Sequence, residues 1–316
     1  MRHRPGLAAR IRADWKRSGL SATALGAIGF SLGIAVARVG VGETPHSAAF
    51  AKTAEFSVWS AVTGFEVALW AICWTKANGI GREIRSRLPK ASIWPFIAVI
   101  VALVAALRFA LLLYPTLHTP VYGMPIRQAI LQSMGILAAA PALFGIWRIQ
   151  AWLRSPAAEI PSPLANVRPL SGRLISDITF ARETLKRLLL ILSLMIGAVV
   201  FATGSLRSAL IAAGTTPSRF PATSVVLFGA LFTAMLALLF APAYVELRDF
   251  QRRIRDFISR IPDDGIPPES WYLERERLSA LLQLDSSSLE AIRSATLLLG
   301  PFFTALVTLF VHDLKI

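Results

Sequence analysis

The chain has 316 residues, 54% of them hydrophobic, with 33 Lys and Arg against 19 Asp and Glu and a mean hydropathy of +0.57. That much apolar surface excludes a water-soluble globular protein, and a lone cysteine, Cys73, excludes an intrachain disulfide and a cysteine-based metal cluster. The net charge of +14 is not read as a nucleic-acid footprint, because the basic residues concentrate in the loops between apolar runs.

The first 18 residues are basic, and Arg2, Arg4, Arg10, Arg12, Lys16 and Arg17 lie close enough to a membrane surface to attract anionic lipid headgroups. An apolar run follows at 19–39, with others at 55–75, 92–114, 129–149, 188–206, 223–245 and 294–311. A hydrocarbon core of about 30 Å takes about 20 helical residues at 1.5 Å each, so each run is read as a transmembrane helix. The expected fold is therefore all-α, a polytopic integral membrane protein of about seven spans. The last run is the weakest, with 18 residues interrupted by Gly300-Pro301.

Alternate loops differ in charge. The segments before the first run and after the second, fourth and sixth hold five or more Lys or Arg each, whereas the others hold one or two. Basic loops stay cytoplasmic, which puts the N-terminus inside and Lys315 outside. The Ala- and Arg-rich composition suggests a bacterial source and hence the cell's inner (plasma) membrane.

Residues 151–170 form a proline-rich cytoplasmic linker, with four prolines between 156 and 169 that do not fit a helix interior. The linker separates a first membrane half, 1–150, with four spans, from a second, 171–316, with three. After the sixth span Leu247, Phe250, Ile254, Phe257 and Ile261 recur at helical spacing with Arg248, Arg252 and Arg253 off that face. This stripe extends the span, lies in the headgroup plane or docks a partner helix. Ser171 to Arg187 is a weaker amphipathic stretch leading into the fifth span. Ten of the nineteen acids fall between Glu246 and Glu290, which makes 246–290 the first candidate for a protein–protein contact.

Charges within spans are rare and costly, and Glu66 in the second span and Arg108 in the third stand out. Counted from Phe56 and Tyr114 they lie roughly 15 Å and 9 Å deep, a gap an extended arginine bridges, so they are expected as a buried ion pair or as a proton or cation site. The fourth span holds Gln132 and a kink-prone Pro141, where freed carbonyls face a possible cavity. Gly29, Gly33 and Ala37 form a small-residue ridge on the first span. No metal site is expected; the weaker alternative gathers His46, His118 and His312 on the outer side. No phosphate loop, His-Glu-x-x-His or Gly-x-Ser-x-Gly occurs, and no catalytic residue or cofactor is assigned.

The leading expectation is a non-catalytic anchoring, scaffold or regulatory subunit that docks a cytoplasmic or membrane protein partner; a homo-oligomer is also compatible. The alternative is a channel or transporter for a small neutral or proton-coupled solute, using Glu66 and Arg108. The bilayer and its anionic headgroups are the partners common to both, and nucleic acid belongs to neither.

Overall fold

A computed structural model of the protein describes residues 7–41, 44–88, 92–98, 100–101, 104–105, 123–155, 167–259, 265, 267–282, 284, 299–300 and 303–304, with backbone alone at 7–21, 46, 167–171 and 173. Among the described residues every regular element is a helix: α1 (Leu7–Arg38), α2 (Pro45–Ala51), α3 (Ala54–Arg87), α4 (Met124–Leu153), α5 (Val167–Ala212), α6 (Ala222–Ile258) and α7 (Glu269–Leu281). Four of them, α3 to α6, are long and apolar enough to cross a membrane. The described apolar part of α1, Ala22–Arg38, is shorter, and the runs at 92–114 and 294–311 fall largely outside the described residues.

The helices outrun the bilayer. α5 has 46 residues and α6 has 37, against the roughly 20 a hydrocarbon core requires. The two amphipathic stretches expected beside the spans are continuous with them: Ser171 to Arg187 is the first part of α5, and Leu247 to Phe257 is the last part of α6. α5 starts at Val167, inside the expected linker, and takes Pro169 into its first turn. Proline fits there because its missing N–H has no intrahelical acceptor in any case. Pro141 and Pro242 lie inside α4 and α6, both of which continue past them.

α3 is central, with α1, α4 and α5 all packed on it. Its crossing with α1 is set by glycine. A Cβ on Gly33 would lie 2.5 Å from the Thr63 carbonyl oxygen, and one on Gly29 would lie 2.9 Å from that of Val67, so the two backbones meet almost directly. Further along, Ile84, Gly145 and Leu188 interlock α3, α4 and α5. Residues 300 and 304 lie against Ser193 and Gly197 of α5.

The two ends of the bundle differ. At one, Phe50 of α2, Phe56 and Trp59 of α3, Met124 of α4 and Leu206 and Leu210 of α5 share a cluster. Thr53 caps α3 there by accepting from the Phe56 N–H at 3.1 Å, and Thr44 and Ser47 form a capping box on α2. At the other, Arg154 at the end of α4 pairs with Glu246 of α6, Trp152 meets Phe250 edge-on at 5.7 Å, and Arg87 lies over Phe180 at 4.5 Å. The basic ends of α3 and α4, the basic start of α5 and the basic end of α6 are thus together. α7 attaches at this end through Arg275 and Asp256, 2.8 Å apart.

Candidate functional site

Between α3, α4, α5 and α6 lies a cavity of about 810 Å³. Its wall is mostly alkyl and aromatic, with Leu143 from α4, Leu192, Met195 and Val199 from α5 and Phe228, Phe232 and Leu236 from α6. Polarity comes chiefly from two helices. α3 contributes Thr63 and Glu66 between Trp59 and Trp70, and α4 contributes Gln128 and Gln132. The spacing explains the sharing: 59, 63, 66 and 70 lie on one helical face, as do 128, 132, 135 and 139 on the facing helix. Gly135 keeps the space open beside Trp70, whose ring would lie 3.2 Å from a Cβ at that position.

Glu66 is 4% exposed. No hydrogen bond or ion pair joins its carboxyl to another described residue, and Arg108, its expected partner, lies outside the described residues. The Thr63 hydroxyl and the Trp70 indole N–H are likewise buried without a hydrogen-bond partner among the described residues. Unpaired polar groups in an apolar wall are uncommon, because each forfeits its hydration without replacement. A carboxylate is the costliest of the three, and none of the described residues supplies the cation or hydrogen bond that would offset it.

No family model matches the chain, and no curated protein and no solved structure is significantly similar to it.

Of the other residues singled out by sequence, Gln132 is on the cavity wall, while Pro141 is not, although its neighbours Ala139 and Leu143 are. Leu247, Phe250 and Ile254 are each 1% exposed and belong to the chain's own core, with Phe250 against Trp152. The apolar stripe expected to receive a partner helix is thus covered by the protein itself over those three positions. Phe257 is half-buried and Ile261 lies outside the described residues. His46 belongs to α2 with its backbone alone described, and His118 and His312 lie outside the described residues.

Sequence reasoning passed over Arg127, Arg148 and Arg207, all buried. Arg148 Nη2 donates to the Leu88 carbonyl at 3.0 Å, and Arg207 Nε donates to that of Phe220 at 2.9 Å. Arg127, also on the cavity wall, donates to the carbonyl of Val39. Their position at the margins of apolar runs was the available signal, since a cation there either reaches solvent or finds a carbonyl.

Proposed function

We propose that the protein is a seven-span membrane protein with a cytoplasmic N-terminus, resident in a bacterial inner membrane, that binds a small hydrophobic solute in the cavity beside Glu66 and moves it through or into the bilayer. The observation that carries this reading is the buried Glu66, without a partner among the described residues, on the wall of a predominantly apolar chamber. A purely structural intramembrane carboxyl is normally held by a partner that offsets its desolvation, and none of the described residues does so. The volume falls within the range of small-molecule sites. Support for the orientation comes from the gathering of basic helix ends at one end of the bundle, the arrangement a positive-inside protein requires.

Ala139 is small and lines the cavity, so Ala139→Trp fills it. Purified protein in lipid nanodiscs is expected to hold an environment-sensitive apolar dye, and the filled variant to lose it while unfolding at a similar temperature. Unchanged dye binding in the filled variant sinks the reading. Solute flux in proteoliposomes that depends on Glu66 then separates transport from binding alone.

A docking or regulatory subunit is the second reading, and α7 favours it. Tyr272 and Leu273 are exposed there beside Glu274 and Glu276, on a helix joined to the basic end of the bundle. A partner bound through α7 would be released by Tyr272→Ser with Leu273→Ser, with dye binding in the cavity unaffected.

A further inference from the structure

We infer that the solute held in this cavity is a lipophilic organic cation, an amine or quaternary ammonium group carried on a hydrophobic body. The inference rests on the cavity reading above and names the class of molecule that reading leaves open. Glu66 has an indole on either side of it along the same face of α3, Trp59 about 10 Å before and Trp70 about 6 Å after at 1.5 Å per residue. A cation collects two attractions here that a neutral solute does not. One is the carboxylate, strong where water is excluded, and the other is the electron-rich aromatic lining of Trp70, Phe228 and Phe232, which attracts a cation more than a neutral group.

The rest of the wall decides the body of the ligand. It is predominantly hydrocarbon from α5 and α6, so the charged group has to be carried on an apolar frame. A divalent inorganic cation fits poorly, because calcium and magnesium take six or more oxygen ligands and the described wall brings one carboxylate. An anion would meet the Glu66 carboxylate with no cation of the described wall turned toward it. The other charge of the described wall, Arg127, is held off to one side: its guanidinium folds back to within about 3.7 Å of a Cβ built on Gly123 and donates to the Val39 carbonyl just past the end of α1. Gln128 and Gln132 add carbonyl acceptors suited to an N–H donor.

The test uses the full chain in nanodiscs, with equilibrium dialysis of radiolabelled tetraphenylphosphonium and of an uncharged polyaromatic of similar size, each corrected for empty discs. The wild-type protein is expected to prefer the cation about tenfold or more, the scale of one charge-assisted contact. Glu66→Gln should remove that preference and leave the neutral compound bound, and Glu66→Asp should keep most of it. If Glu66→Gln does not fold, the charged-to-neutral ratio in the wild type and in Glu66→Asp reads the same quantity. Equal retention of both compounds by the wild type, or an unchanged preference in a folded Glu66→Gln, overturns the inference and leaves the cavity reading standing. Retention of neither overturns both.

Discussion

The guanidinium of Arg127 donates from Nε and from a terminal nitrogen to the main-chain carbonyl of Val39, one residue past the end of α1. A helix leaves its last carbonyls without intrahelical donors, and one buried away from water needs a substitute. Arg148 serves the Leu88 carbonyl at the end of α3 through one terminal nitrogen, Nη2. These arginines fasten one helix end to the flank of another.

Arg127→Met keeps the length of the side chain and removes its donors. It is expected to destabilise the protein by about 1–3 kcal/mol, the usual worth of hydrogen bonds made by a charged donor. Arg127→Lys should recover only part, since an ammonium cannot reproduce the planar fork. Thermal unfolding in detergent measures the order wild type, Lys, Met; equal midpoints for all three would contradict the role.

Three glycines of the first two long helices separate packing from propensity. Gly33→Ala drives a methyl to 2.5 Å from the Thr63 carbonyl oxygen, so α1 and α3 must part. Gly26→Ala meets only the flexible end of Ile72 at 3.4 Å, and Gly79→Ala meets nothing within 4 Å. Stability should fall clearly for Gly33→Ala, change little for Gly26→Ala and rise by up to about 1 kcal/mol for Gly79→Ala, where alanine improves the helix. Chemical denaturation in mixed micelles ranks the three, and a harmless Gly33→Ala would mean that α1 does not pack as described.

Much of this was legible beforehand. Apolar runs of about 20 residues locate the long helices because hydrocarbon leaves the backbone no other way to bond within a segment. The Gly29 and Gly33 ridge also showed in the sequence, and it meets α3. What the sequence withheld was the identity of partners. Helical periodicity states that Leu247, Phe250 and Ile254 share a buried face, but not that Trp152, almost a hundred positions earlier, covers it. Glu66 stood out as a charge within a span, while the cavity beside it is assembled from ordinary leucines, valines and phenylalanines of three other helices, which carry no local mark. Trp59, Thr63 and Trp70 did carry one, since they share the face of Glu66 at helical spacing.

Phe250→Ala tests the assignment of that stripe to the core. Removing a ring that is 1% exposed and packed on Trp152 should cost about 3–5 kcal/mol and lower the yield of folded protein. Were the stripe a free docking surface, the variant would unfold like the wild type.

Arg154 and Glu246 supply a contrast. Arg154 is 60% exposed, and its pairing with Glu246 is open to solvent and salt. Arg154→Ala is expected to cost about 1 kcal/mol or less, and less again in 0.5 M salt, by the same unfolding assay.

Sidedness can be read by labelling. With Cys73→Ala as background, a cysteine at exposed Ser218, between α5 and α6, should react with a membrane-impermeant maleimide in intact cells. One at exposed Glu276 in α7 should react only after permeabilisation. The reverse pattern would invert the protein in its membrane.

The glycine crossing of α1 and α3 also has a consequence for biogenesis. α3 is complete once residue 87 is made, whereas α5 ends at 212, so at 5–20 residues per second Glu66 waits roughly 6–25 s for the last of α5. α1, already synthesised and held backbone to backbone at Gly29 and Gly33, packs on α3 from the start of that interval, and α4 joins it only once residue 153 is made. The N-terminal hairpin thereby acts as a built-in escort, keeping the helix that carries Glu66 from drifting alone in lipid until its later neighbours emerge from the ribosome.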